Sequence, residues 1–351
     1  MSRKLPPRKG KVIKKQEILL VDGNALYKRG FIGAKNQYNS EGKPIGGIYQ
    51  FLTVLRKLLE DNLYHKVFVF WDGNFSGKLR WNFYKDYKSN RGKDYINGTK
   101  PDDYNEVIQR GMVFNYLEEL FVRQLLHPEV ESDDFIAYYC SIKKSNEKIT
   151  IVTSDRDLCQ LINEDVRIYL LDKKEYLTNS NYNNFFKHHL DNSALIKIIA
   201  GDDSDCIKGI SGIKETTLLK HFPELMEKKV DLEFILERAN QIQNERLSNK
   251  KKPLKALDNI INSNTLGIQG KDIYEINRKL VDLSVPLLTE DALEQVEELI
   301  DSPLSEDRSI KEVYRMLKGD GIDKVLGEYR FNDYLLPFKR LIEREKNNKF
   351  K

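Results

Sequence analysis

Nine acidic residues are spaced so that they can act together on one substrate. Four apolar runs each lead into acid. ILLVD ends at Asp22, VFVFWD ends at Asp72, LLHPEVESDD delivers Glu131, Asp133 and Asp134, and ITIVTSDRD delivers Asp155 and Asp157. A further segment, GDDSDC, adds Asp202 and Asp205. Carboxylates gathered in one place repel, and each raises its neighbours' pKa unless a cation compensates them. An all-oxygen acidic ligand set suits a hard ion, Mg²⁺ or Mn²⁺ rather than zinc. Two such ions roughly 4 Å apart are the usual arrangement for phosphodiester hydrolysis, one activating a water and the other stabilising the leaving oxygen. No Ser–His or Cys–His pairing stands out, so no protein nucleophile is expected. Taken singly, an Asp after a strand is as readily a helix cap or a turn residue. Asp172, after VRIYLL, is read that way.

Acids from separate strands converge only if the strands share a parallel sheet, whose carboxyl ends lie along one edge. Short β-type runs occur at Ile18–Val21, Val67–Trp71, Leu125–Val130, Ile149–Thr153 and Val166–Leu171. Helical stripes separate most of them. Gly47–Leu59 carries Ile48, Phe51, Leu52, Leu55 and Leu59 on one stripe, and Asp133–Lys144 carries Phe135, Tyr139 and Ile142 on another. The alternation predicts an α/β domain over 18–190, with a mostly parallel central sheet and helices on both faces. After residue 190 no strand is expected. Ser193–Ala200, Glu215–Lys220, Asp231–Leu247, Ile273–Leu283, Glu290–Ile300 and Asn332–Lys346 read as helices, giving a helical region over 191–351 packed beside the sheet. Residues 1–17, with Arg3, Lys4, Arg8, Lys9, Lys11, Lys14 and Lys15, read as a basic arm, either a solubilising tail or an extra phosphate contact.

Two segments near the acids suit a polyanion. Residues 73–125 are too long for a simple connection and are rich in Lys, Arg and aromatics, which suggests a functional insertion. In KLRWNFYKDYKSNR, Lys88 and Arg91 stand at i and i+3, so on a helix they share a face with Tyr84 or Tyr87. That pair is expected to hold a phosphate, and the tyrosines to stack on an unpaired base. Arg80 and Lys85, with Lys78, Lys93 and Lys100, add general attraction for the backbone. Trp81 and Phe83 are expected in the core. Downstream, Asp202 and Asp205 are three apart and are expected to face the same way at a helix end. Gly209 and Gly212 then allow a tight turn that approaches a phosphate, with donors from Thr216, Thr217 and the next helix. The segment reads either as an ordinary helix–turn–helix corner or, with the two upstream acids in its favour, as a helix–hairpin–helix that meets a phosphate backbone through Gly209, Gly212, Lys214 and Thr216.

The chain has 351 residues, with 58 Lys and Arg against 54 Asp and Glu. With the nine named acids set aside, basic residues exceed acidic ones by 13, a balance that suits a nucleic-acid substrate processed at an acidic site. Cys140, Cys159 and Cys206 are scattered, so neither a zinc site nor a disulfide framework is indicated, and a reducing compartment is expected. The N-terminus has no apolar stretch behind its basic residues, and no run is long enough to span a bilayer. The expectation is a cytoplasmic monomer.

The set VDGN, FWDGN, ESDD, TSDRDLCQL and GDDSDCIKGISGIK, in this order and with the YKSNR element, resembles the 5′-nuclease family. That family includes flap endonucleases, the 5′ nuclease domain of bacterial DNA polymerase I and phage 5′–3′ exonucleases. The resemblance covers about residues 17–225. The later helices look more loosely like those of the T-even phage member called ribonuclease H. It implies a PIN-like 5′-nuclease fold, with 73–125 as a helical arch and 195–225 as a helix–three-turn–helix. It implies one metal near Asp22, Asp72, Glu131 and Asp133, a second near Asp155, Asp157, Asp202 and Asp205, and Asp134 between them. Lys88 and Arg91 match the basic pair that contacts the scissile phosphate. The activity implied is Mg²⁺-dependent cleavage of 5′ flaps and RNA-primed DNA in replication. A single-stranded-DNA-binding protein or sliding clamp is the expected partner. Two positions depart from the family pattern: Lys214 stands where the hairpin usually has a second glycine, and Cys206 where Asn is usual. Two other readings remain in view: a non-catalytic branched-DNA binder on the same fold, and a PIN-type nuclease of single-stranded RNA.

Overall fold

In the computed structural model, residues 15–91, 104–262, 272–304 and 307–348 are described. Arg3, Lys4, Arg8, Lys9, Lys11 and Lys14 of the basic arm, and Lys93 and Lys100 of the insertion, lie outside them. Six strands form the main sheet: β1 Gln16–Asp22, β2 Lys66–Asp72, β3 Arg123–His127, β4 Glu147–Thr153, β5 Val166–Leu170 and β6 Glu175–Leu177. Their order is β3-β2-β1-β4-β5-β6. β1 to β5 run parallel and β6 is antiparallel to β5. Ile18 to Val21 are wholly buried, as an unbroken apolar strand must be when both faces of a sheet are covered.

One face of the sheet (Leu19, Val21, Val67, Val69, Trp71) packs on helices Gly23–Gly33, Gly46–Asp61 and Tyr104–Glu119. The other face (Ile18, Leu20, Phe68, Phe70, Ile149, Ile151) packs on helix Ser132–Ile142 through Phe135, Ile136 and Tyr139. A third core joins Trp81, Tyr84 and Tyr87 to helical residues between Leu195 and Val281. Beyond that point the chain returns to the sheet. Leu283, Ala292 and Val296 enter the second core, and residues from Val313 to Leu341 enter the first. Only about the first half of the 191–351 region therefore forms a separate helical body. The helical region expected over 191–351 does pack beside the sheet, and the structure adds which core each helix joins, which an apolar stripe does not reveal.

Several local expectations are corrected. The third strand is Arg123–His127 rather than Leu125–Val130, since Pro128 has no N–H for the ladder and the chain crosses over Gly73 there. A Cβ on Gly73 would lie 2.2 Å from the His127 carbonyl oxygen, so this crossing admits only glycine. A two-residue ladder, β7 Gly201–Asp202 with β8 Ile207–Lys208, forms after residue 190, where no strand was expected. Ile142 is exposed at the end of its helix, and Phe83 is 37% exposed rather than core. The basic segment is helical only over Lys78–Phe83. It then reverses, with Lys88 in left-handed backbone (φ 51°) before a short turn at Ser89–Arg91. Lys88 and Arg91 therefore do not share a helix face.

Candidate active site

The order β3-β2-β1-β4-β5 reverses direction between β1 and β4, and the crevice at such a switch point is where ligands of these sheets bind. Asp22 ends β1 and Asp155 follows β4, one on each side of it. Asp22 caps helix Gly23–Gly33, accepting from the Ala25 N–H at 2.9 Å. It also accepts from the Thr153 hydroxyl at 2.9 Å, and the same Thr153 oxygen accepts from the Asp155 N–H. Asp72 ends β2 and accepts from the Ser132 N–H at 2.8 Å, which ties it to the helix that carries Asp133. Burial, with Asp72 and then Asp155 as neighbours, pushes the Asp22 carboxyl up to about 7. Burial and the charges of Asp155, Asp22 and Asp72 raise Asp133 well above the usual carboxylate range. Asp72 and Asp155 thus carry charges that act on both Asp22 and Asp133.

A second group adjoins them. Asp157 begins a turn after β4, and Asp202 lies in β7. The ammonium of Lys197 donates to both, at 2.6 Å from Asp202. Burial and Asp155 push the Asp157 carboxyl up to about 6, although Lys197 opposes them. Asp202 ends β7 and Asp205 sits on the turn that leads to β8, and the Asp205 carbonyl accepts from the Lys88 N–H. Cys206, where the family usually has Asn, adopts left-handed backbone (φ 58°), a conformation that Asn takes more readily.

The third group corrects three expectations. Arg80 is buried and chelates Asp134 with two nitrogens at 2.6 and 3.1 Å. It also approaches Glu131 at 2.7 Å and donates to the Leu280 carbonyl. Asp134 further accepts from the Leu287 N–H, so it braces the fold and shares Arg80 with Glu131. Arg80 is likewise internal and offers DNA nothing. Tyr87 is buried and donates to Glu131 at 2.9 Å, so it cannot stack on a base. Burial opposes ionisation of Glu131, yet Lys88 and Arg80 outweigh it and hold the carboxyl at about 2. Lys88 reaches Glu131 at 2.5 Å, while Arg91, half exposed, lies 3.4 Å from Asp205.

A cleft of about 970 Å³ runs from Asp22, Asp155 and Asp157 past Lys197 and Asp202 to Lys214 and Thr216. Lys214 and Thr216 are exposed, and Lys214 holds Asp203 at 2.6 Å. Gly212 has φ 78° with open space around it, whereas a Cβ on Gly209 would meet the Ala200 carbonyl at 2.1 Å. Gly212 thus shapes an exposed turn, and Gly209 allows close packing against Ala200. Lys85 is exposed. Among the described residues, no three His, Cys, Asp or Glu groups already stand in a closed ligand geometry. Sequence reasoning overlooked Thr153, which links β1 to β4, and Lys197. The signal for Lys197 was present: it is the one charge in the apolar helix SALIKIIA.

A doubly covered parallel sheet with acids at its switch point, beside a helical body bearing an exposed basic turn, defines an α/β nuclease architecture. The family described as 5′-3′ exonuclease, N-terminal resolvase-like domain, matches residues 17–188. The 5′-3′ exonuclease of Buchnera aphidicola subsp. Schizaphis graminum is 30% identical over 220 residues, covering 60% of this chain and 72% of that protein. A thermostable DNA polymerase I of Thermus thermophilus is 30% identical over 67% of this chain, which spans only 27% of that polymerase. A solved structure of T5 5′-exonuclease with divalent metal ions (zinc) bound has a TM-score of 0.58 at 16% identity, covering 87% of this chain and 98% of that one. The chain belongs to the 5′–3′ exonuclease family of nucleases.

Proposed function

We propose that this nuclease cuts flapped and RNA-primed DNA near its 5′ end, using Mg²⁺ at two positions in the cleft. The observation that carries the proposal is the convergence of Asp22, Asp72, Asp133 and Asp155 beside the switch point, where burial and mutual repulsion raise Asp22 and Asp133. The donors fit a hard cation, since they are carboxylate oxygens only and their repulsion is relieved by positive charge. Bound ions supply an activated water and neutralise charge on the leaving oxygen. The chain's own residues orient the substrate. Asp22, Asp72, Asp133 and Asp155 hold one position, and Asp157 and Asp202, with Asp205 nearby, hold the other. Glu131 orients Lys88 at the rim of the site, where Lys88 and Arg91 meet the scissile phosphate. Lys214, Thr216 and the Gly212 turn take the duplex backbone, and Lys85 adds general attraction. The 73–125 segment guides the 5′ strand. Action as a monomer in primer removal, with a single-stranded-DNA-binding protein or clamp docked on the C-terminal helices, completes the proposal.

The test uses a 5′-labelled flap with Mg²⁺, with EDTA as control. Asp155→Asn should cut at least about 1,000-fold more slowly, the order of effect expected for losing a group that stabilises charge at the reacting centre, while DNA binding in EDTA persists. Cleavage by Asp155→Asn at the wild-type rate ends the metal assignment. Faster cutting of unstructured RNA than of the flap favours the single-stranded RNA nuclease instead.

A further inference from the structure

Lys197 projects from the apolar helix Ser193–Ala200 into the cleft. Its ammonium lies between two carboxylates from different elements, Asp157 after β4 and Asp202 on β7. The side chain is three-quarters covered, at 26% exposure, so the two ion pairs are shielded from solvent. Asp22 and Asp133, by contrast, face other carboxylates. The acidic cleft is therefore electrostatically uneven: Lys197 answers the Asp157–Asp202 pair, whereas the largest charges acting on Asp22 are those of Asp72 and Asp155.

We propose that Lys197 is the resident counter-ion of the Asp157–Asp202 pair and competes with a divalent cation for that position. The inference rests on the divalent-metal reading above. The ammonium takes one oxygen of each carboxylate and repels a second cation, so a divalent ion binds there tightly only when the ammonium withdraws. The four-carbon stem of lysine lets it do so while the helix stays in place. The two parts of the cleft consequently fill in sequence. The position flanked by Asp22, Asp72, Asp133 and Asp155 takes its ion first, and the position at Asp157 and Asp202 takes one only at higher concentration. Lys197 thus sets the concentration of divalent ion at which the site is complete.

The test is a Mn²⁺ titration of the metal-stripped, DNA-free full chain, with free ion followed by electron paramagnetic resonance. Wild type should show a tighter and a weaker class of site. Lys197→Met should tighten the weaker class by at least about tenfold, a modest share of the interaction of one unit charge at this depth, and leave the tighter class unchanged. Lys197→Arg keeps the charge and should stay near wild type. Metal-free Lys197→Met should also melt at a lower temperature, because Asp157 and Asp202 then repel unopposed, and Mn²⁺ should raise its melting point more than that of wild type. If Lys197→Met does not fold, Lys197→Gln carries the same expectations. A weaker class with the same or lower affinity in the neutral variants overturns the role of Lys197. Absence of Mn²⁺ binding in wild type and variants alike strikes the divalent-metal reading itself, so the two failures are distinguishable.

Discussion

Asp133 and Asp134 are adjacent in the chain and opposite in circumstance. Asp133 turns toward Asp155, Asp22 and Asp72, and its carboxyl is raised by burial and by those charges. Asp134, about 100° around the same helix, turns into the body of the protein, where Arg80 and the Leu287 N–H satisfy it. One acid has other carboxylates as its strongest charged neighbours, and the other is answered by Arg80 and a backbone N–H. The comparison teaches that acidic residues in a motif are not equivalent. The first set stores repulsion that a cation can relieve, and the second supplies the rigid wall behind it.

The sharpest way to break this comparison is to remove the charge that completes the wall. Arg80→Met leaves Asp134 and Glu131 buried without their main partner, and should cost about 3–5 kcal/mol of stability. Urea unfolding measures it, and a loss below about 1 kcal/mol would show that the wall does not depend on Arg80. Asp133→Asn should act in the opposite direction, raising the melting temperature in EDTA at pH 8 because it removes repulsion.

The same contrast predicts an unusual pH dependence. Asp22 is raised from 3.8 to about 7 and Asp157 from 3.8 to about 6, so the folded protein holds more protons than the unfolded chain across that window. Metal-free stability should therefore fall as pH rises from about 4 to 7, by up to about 1.4 kcal/mol per pH unit for each extra proton, and level off above. Glu131, held at about 2, contributes in the opposite sense, but only below its ordinary value of 4.5. Saturating Mg²⁺ should flatten the decline. Urea midpoints at pH 5, 6 and 8, with EDTA and with Mg²⁺, test both parts. The smallest effect expected is at the exposed turn. Lys214→Ala should weaken DNA binding evenly across sequences and lower the salt-dependence slope by about one, as read by fluorescence anisotropy.

Much of the architecture was legible because parallel strands buried on both faces are written as continuous apolar runs. Ile18–Val21, Val67–Trp71 and Ile149–Thr153 fall inside β1, β2 and β4. The three-residue β6 and the β7–β8 ladder were not legible, since strands this short carry no alternation and exist only through their neighbours. Trp81 was expected in the core and is there, whereas Arg80 beside it was expected on DNA and is buried. Charge in a basic segment suggests a surface until a buried acid is found to receive it.

By itself the sequence determined the long buried parallel strands and the acids that follow them, because both are written in local pattern. The tertiary structure alone decided which acids face one another and which are answered by Arg80, Lys88 or Lys197. That sorting depends on contacts between residues far apart in the chain, as with Arg80 and Asp134. Local spacing carries no information about such partners.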